Sequence, residues 1–333
     1  WRGSDKRRAG QKPGQEAKWP PMDISVVIPC YNEEESLRET YRRVKAVCEQ
    51  ITPRSYEIIL VNDGSKDGTA AIMNEMVAKE PALVIVDLSR NHGHQLALTA
   101  GLFQARGDYI FILDADLQDP PELLGPMLER ARAGVDVVYG QRQRREGETL
   151  FKRASASLFY RILSYLSDYP IPRDVGDFRL ISRRVLEHFK DMPEQHRFIR
   201  GMIAWIGFRQ EAFLYQRAPR FAGTTKYPFT KLVQFTFDAI SSFSIKPLRI
   251  SLLFALVGTL LAMLLALFAF ISYFDHRTVA GWASLASIIA FFSSLQLICI
   301  GLIGEYIGRT YIQVKNRPLF LIRAVHRGAD KIS

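Results

Sequence analysis

Two carboxylates one residue apart, Asp114 and Asp116 in the run Asp114-Ala115-Asp116-Leu117-Gln118-Asp119, are the side chains that most directly imply chemistry. Such a pair on a strand-end turn can hold a divalent cation, which then bridges two phosphates and offsets the charge that builds on a diphosphate leaving group. Hard oxygen ligands suit Mg2+ or Mn2+. Taken alone, the run also reads as a loop with a helix N-cap, and Asp119 ahead of Pro120-Pro121 fits a cap. Two further polar runs accompany it, Pro29-Cys30-Tyr31-Asn32-Glu33-Glu34 and Val61-Asn62-Asp63-Gly64-Ser65-Lys66-Asp67-Gly68-Thr69. Tyr31 can cover a base ring, and Asp63 can accept a hydrogen bond from a uracil N3–H; each alone is more often just a turn or cap residue.

These runs need elements to bring them together. Apolar, β-branched stretches predict strands at Ile24–Pro29, Tyr56–Asn62, Ala82–Leu88, Tyr109–Leu113 and Val135–Gly140. Helices are predicted at 34–50, 69–79, 95–106 and 121–133. Alternation of this kind with short loops gives an α/β domain whose sheet is mostly parallel and covered on both faces. Ligands in such sheets bind at the carboxyl ends of the strands. Tyr31, Asn32, Glu33, Asp63, Arg90, Asp114, Asp116 and Arg142 all fall at those ends.

The 333 residues carry a net charge of +10, unevenly placed. Residues 1–21 are polar, basic and rich in Gly and Pro, and read as a disordered tail with no secretory signal. Leu150–Ser167 sets Leu158, Phe159, Ile162, Leu163 and Leu166 among Lys152, Arg153 and Arg161, as a basic amphipathic helix on a membrane surface does; packing on the domain is the alternative. A second amphipathic stretch spans 230–247. Two nearly charge-free segments follow, 250–274 and 282–307. At 1.5 Å per residue the first reaches about 37 Å, enough for a ~30 Å hydrocarbon core. Lys246 and Arg249 precede the first, and Arg309, Lys315, Arg317, Arg323 and Arg327 follow the second. That bias predicts a transmembrane hairpin with both ends cytoplasmic and a basic cytoplasmic tail over 309–333. Basic residues beside spans account for the charge without nucleic acid, for which no module is visible. Cys30, Cys48 and Cys299 are too scattered for a metal or disulfide framework.

Taken together, Val27-Ile28-Pro29-Cys30-Tyr31-Asn32-Glu33, Val61-Asn62-Asp63-Gly64-Ser65 and Asp114-Ala115-Asp116-Leu117-Gln118 resemble the family 2 glycosyltransferases of GT-A fold. Arg90-Asn91-His92-Gly93 and the paired C-terminal spans are similar to the polyprenyl-phosphate glycosyltransferases, among them dolichol-phosphate mannose synthases and bactoprenol glucosyl transferases of the GtrB type. The resemblance implies a GT-A domain over 22–229, with the interface helix at 150–168, then the juxtamembrane helix and the hairpin over 248–308. It implies that Asp114, Asp116 and Gln118 bind the metal and diphosphate, and that Pro29, Tyr31, Glu33 and Asp63 contact the nucleoside. Arg142 and Arg153, with Lys152 and Arg144 beside them, map to arginines that hold a lipid phosphate. Asp177, in Asp174-Val175-Gly176-Asp177-Phe178-Arg179-Leu180, maps to a proposed catalytic aspartate. Arg200 and Lys226 map to a segment that closes over the donor.

The reaction so implied is metal-dependent, inverting transfer of a sugar, glucose from UDP-glucose, to undecaprenyl phosphate at the cytoplasmic face of a bacterial inner membrane. A homo-oligomer formed through the C-terminal region, with a tetramer as one form, is implied too, and Gly301, Gly304 and Gly308 can allow close helix contact. Rival readings are transfer of a modified arabinose or N-acetylglucosamine, a processive polysaccharide synthase, or a non-catalytic membrane scaffold. Gln195-His196-Arg197-Phe198 lacks the Gln-x-x-Arg-Trp spacing of the synthases, and the acidic pair speaks against a scaffold.

Overall fold

The computed structural model describes residues 22–52, 55–143, 175–216, 246–274 and 281–328. Its centre is one eight-stranded sheet in the order β7-β5-β6-β4-β1-β2-β3-β8. The strands are β1 Ile24–Cys30, β2 Tyr56–Asn62, β3 Leu83–Leu88, β4 Tyr109–Ile112, β5 Val137–Arg142, β6 Val175–Ser182, β7 Gln210–Tyr215 and β8 Ile322–Arg327. β3, β2, β1 and β4 run parallel. β6 lies antiparallel between β4 and β5, and β8 lies antiparallel to β3.

Side chains alternate across a pleated strand, and both faces of this sheet are apolar. Val26, Ile28, Ile58 and Leu60 face α1 (Leu37–Ile51), α2 (Thr69–Val77) and α4 (Leu124–Arg132). Val27, Ile59, Val61 and Ile110 face α3 (His94–Gln104), α5 (Arg183–Asp191) and α6 (Ile199–Ile206). α3 lies close on the sheet because Gly101 presents no side chain: a Cβ there would stand 2.5 Å from Val27 Cγ1 and 2.8 Å from Val61 Cγ2. This is the mostly parallel GT-A arrangement expected. α4 is preceded by a 3-10 turn at Pro121–Leu123, because the prolines favour the tighter entry.

Beyond the sheet, α7 (Lys246–Phe274) and α8 (Trp282–Lys315) form an apolar hairpin in which Gly258 meets Phe292 and Cys299 meets the Ser251 carbonyl. Over Ser287–Lys315, α8 is long and apolar enough to cross a membrane; α7 carries a shorter apolar stretch at Leu253–Leu264. Their large apolar side chains, Leu256 and Leu297 among them, are exposed in the isolated chain.

The expected basic tail over 309–333 takes a different form. α8 runs on to Lys315, and Ile322–Arg327 joins the sheet as β8. Its arginines are neutralised by acids of the sheet: Arg323 pairs with Asp87 at 3.3 Å and Arg327 with the buried Glu57 at 3.6 Å. Pairing of those charges turns an apparently solvated stretch into an edge strand. The tail at 1–21, the helix at 150–168, the stretch 230–245, and Arg144, Lys152, Arg153 and Lys226 lie outside the described residues.

Candidate active site

At the carboxyl ends of β1 and β2 two loops are cross-tied by side chains. The Asn32 amide N–H donates to Ser65 Oγ at 3.1 Å, and Asn32 Oδ1 accepts from the Lys66 N–H at 2.8 Å. Glu33 N–H donates to Thr69 Oγ1, and Glu34 Oε2 accepts from Gly68 N–H. Asn32 takes a positive φ of 55° here, a conformation that asparagine tolerates better than most residues. Pro29 is buried in β1, and Tyr31 stands exposed at the loop's rim.

Asp63 is buried, and both its oxygens are engaged. Oδ1 accepts from the His92 N–H at 2.6 Å and Oδ2 from the Gly93 N–H at 2.9 Å. Burial raises its carboxyl above the ordinary range despite these bonds. Its present work is thus to hold the loop after β3. Gly64, at φ +65°, lets that loop approach, since a Cβ there would lie 2.6 Å from Asn91 N. On the far side β8 holds the same loop: Ser89 N–H donates to the Leu321 carbonyl, and Arg323 Nη2 donates to the Ser89 carbonyl.

The acidic run leaves β4 in a strained turn. Leu117 has φ +58° yet is buried, and Thr40 of α1 donates through Oγ1 to the Ala115 carbonyl at 2.8 Å. Asp116 Oδ1 accepts from the Gln118 N–H at 3.1 Å. Burial raises the Asp114 carboxyl; His94 opposes that rise, and Asp177, Asp116 and Asp119 add to it. A carboxylate crowded by others in this way fits a divalent cation, which would relieve the repulsion. Among the described residues no three His, Cys, Asp or Glu side chains form a ready cage. Asp114 and Asp116 therefore offer a partial, open set of oxygens.

Asp177, on β6, is 4 % exposed, yet four donor groups meet it. Arg200 of α6 donates from Nε to Oδ1 at 2.8 Å and from Nη2 to Oδ2 at 3.2 Å. Gln95 Nε2 donates to Oδ2 at 3.0 Å, and His94 Nε2 lies 3.2 Å from the same oxygen and 3.6 Å from Asp114 Oδ1. Burial opposes ionisation, but the charge of Arg200 and the bonds from His94 and Arg200 hold Asp177 well below the usual carboxylate range. For His94, burial pulls downward, and the bond to Asp177 with the charges of Asp114 and Asp177 outweighs it, raising it to about 9. The imidazole is then a cation at neutral pH, a charged bridge between Asp114 and Asp177.

On the other flank, Arg142 ends β5 opposite Tyr215 of β7. The buried Tyr215 hydroxyl donates to Asp119. Burial and then Asp119 raise the phenol above its ordinary range, so it stays a donor. Asp114, Asp177 and Arg200 thus converge, and Asp119 is tied to Tyr215, whose register partner is Arg142. Arg200 is turned toward Asp177 instead of standing free for a ligand. His94, Gln95 and Tyr215 were not among the residues singled out from sequence. The available signal was positional: His94 and Gln95 open the helix that follows the strand-end loop Arg90–Gly93.

Comparison with known proteins follows this division of the chain. Residues 25–189 match the profile of Glycosyl transferase family 2, and residues 246–310 match that of the GtrB C-terminal hairpin. An uncharacterized glycosyltransferase of Bacillus subtilis, YkcC, is 45% identical over 306 residues, covering 91% of this chain and 94% of its own. The SfII prophage-derived bactoprenol glucosyl transferase of Shigella flexneri is 39% identical over 311 residues, 92% of this chain and 99% of its own. A prophage bactoprenol glucosyl transferase homolog of Escherichia coli is 39% identical over 307 residues, 92% and 100%. With an acidic run ending β4, a charged cluster beside it and an apolar hairpin in the same chain, the protein belongs to the family 2 glycosyltransferases that carry the GtrB C-terminal hairpin.

Proposed function

We propose that this glycosyltransferase transfers glucose from UDP-glucose to a polyisoprenyl phosphate, undecaprenyl phosphate in bacteria, at the cytoplasmic face of the inner membrane. The observation that carries the reading is continuity: the apolar helix α8 is followed after a short link by β8, which pairs with β3 of the catalytic sheet and through Arg323 bonds the loop after it. A sheet fastened in this way to a membrane hairpin works beside a bilayer, where a lipid-borne phosphate is the natural acceptor. The relatives named bactoprenol glucosyl transferase span the hairpin as well as the sheet, which supports the same acceptor class.

A phosphate monoester is largely dianionic near neutral pH, its second pKa being about 6. Its oxygen can attack the anomeric carbon directly, inverting the configuration, with little need of a general base. Asp177, saturated by Arg200, Gln95 and His94, suits this role as a fixed anion that orients its cationic neighbours. Arg142, with Lys152 and Arg153, would take the acceptor phosphate, since guanidinium stays charged and offers a planar fork of donors. Asp114, Asp116 and Gln118 would hold Mg2+ or Mn2+, which when bound neutralises the departing diphosphate. Tyr31, Glu33, Asp63 and Pro29 would frame the nucleoside, with Arg200 and Lys226 on the diphosphate side.

The deciding experiment incubates membranes containing the protein with undecaprenyl phosphate and a panel of nucleotide sugars, then identifies the lipid product by mass. A hexosyl-phosphoryl lipid formed from UDP-glucose is the expected result. Transfer of another sugar would move the donor assignment, and absence of any lipid product across the panel would end the reading.

A further inference from the structure

The geometry points to Gln95 as a positioning residue that fixes Arg200 on Asp177, one end of its amide bonding the carboxylate and the other the start of α6. The inference deepens the reading above, in which Arg200 stands on the diphosphate side, and rests on it.

Gln95 is the second residue of α3, the helix that follows the strand-end loop Arg90–Gly93. Its Nε2 donates to Asp177 Oδ2 at 3.0 Å, and its Oε1 accepts from the Ile199 N–H at 2.9 Å. Ile199 opens α6, and the first N–H groups of a helix have no partner within it. Phe198, at the N-cap position, has no side-chain oxygen to offer. Gln95 does that work from a different element. The next residue is Arg200, which donates to both oxygens of Asp177 and, from Nη1, to the Val175 carbonyl at 3.1 Å. The contacts therefore close a ring that runs from the Gln95 amide to Asp177, to the Arg200 guanidinium and back through the backbone of α6 to Gln95.

Both sides of the ring have anchors of their own. On α3, Thr99 Oγ1 donates to the Gln95 carbonyl at 2.7 Å, and Gly101 seats the helix against β1 and β2. The segment entering α6 is fastened to α8: Gln313 Nε2 donates to the Pro193 carbonyl at 2.8 Å, and its Oε1 accepts from the Gln195 N–H at 2.9 Å. Arg197 adds bonds to the Phe189 and Met192 carbonyls. Loss of the Gln95 amide thus leaves the approach to α6 in place and releases only the turn that carries Arg200. A glutamine that merely capped α6 would need only its oxygen. What exceeds that role is the N–H end, aimed at the carboxylate that Arg200 also grips.

Two variants separate the ends of the amide. Gln95→Met keeps the length and removes both bonds; Gln95→Glu keeps an acceptor for the Ile199 N–H but sets a second acid against Asp177. A misplaced Arg200 is felt as charge builds on the leaving diphosphate, so kcat should fall about tenfold in Gln95→Met. Both KM values should stay within about twofold, with the melting temperature unchanged. Gln95→Glu should fall further, about a hundredfold, although it retains the cap. In an Arg200→Ala background, adding Gln95→Met should cost less than about twofold, because it acts through Arg200. A Gln95→Glu enzyme as active as Gln95→Met or more so, effects that multiply, or a Gln95→Met enzyme with the kcat of the unaltered protein would overturn the inference while leaving the proposed function intact. Failure of the unaltered protein to glycosylate any polyprenyl phosphate would sink both.

Discussion

The loops after β1 and β2 and the cluster around Asp177 lie at the same end of one sheet, yet they are held by different means. In the loops, Asn32, Glu34, Ser65 and Thr69 exchange bonds with neighbouring backbone, and only Asp63, bonded to two amides, brings in a buried carboxylate. Around Asp177, residues of α3, β6 and α6 meet as ions and amides about one buried carboxylate. Neutral bonds to backbone are each worth about 1 kcal/mol and are lost one at a time. A buried ion that loses its partner costs about 3–5 kcal/mol. The first region should therefore yield gradually to mutation and the second abruptly.

The contrast can be broken most severely at the acidic run. Asp116→Asn should lower turnover by at least about a thousandfold with metal in excess, with little change in stability; near-normal rates would remove the metal role from that side chain. Next comes Asp177→Asn, which keeps the shape but removes the anion: kcat should fall about a hundredfold in a single-turnover assay. A larger loss than that of Asp116→Asn would make Asp177 the centre of the chemistry. Arg200→Ala strands the same anion from the other side. Because Arg200 is itself about a third exposed, we expect a loss of about 2–3 kcal/mol in chemical denaturation, below the fully buried figure. In the loops, Asp63→Ala should raise the donor KM about tenfold by freeing the His92 and Gly93 amides, with kcat nearly kept. Ser65→Ala should be the mildest, about twofold in donor KM; if it equals Asp63→Ala, the loops fail as a unit and the contrast is lost.

Much of this arrangement was legible in the chain because it is local. Ile24–Cys30 and Tyr56–Asn62 are mostly apolar runs that give way to polar residues, so both the strands and the site edge announce themselves. β6 does not. Its run Val-Gly-Asp-Phe-Arg-Leu-Ile-Ser places Asp177 and Arg179 in the interior, where composition argues against a strand, and only partners far along the chain make it possible. His94 and Gln95 carry no local signal for the same reason: their meaning comes from Asp177, some eighty residues away. Tyr215 depends on Asp119 across a similar gap. β8 was obscured because its arginines read as solvated until Asp87 and Glu57 stand beside them.

That last strand has a consequence for how the protein is made. β8 follows α7 and α8 in the chain, so a ribosome delivers both apolar helices before it delivers the strand that covers β3. Until then the newly made sheet carries an open edge, and open edges invite mispairing. With the hairpin in a bilayer, as the proposed function has it, the remaining strand returns to the sheet on a short tether, which turns a search through solution into a local closure. Insertion and completion of the soluble half are, on this view, successive steps of one assembly.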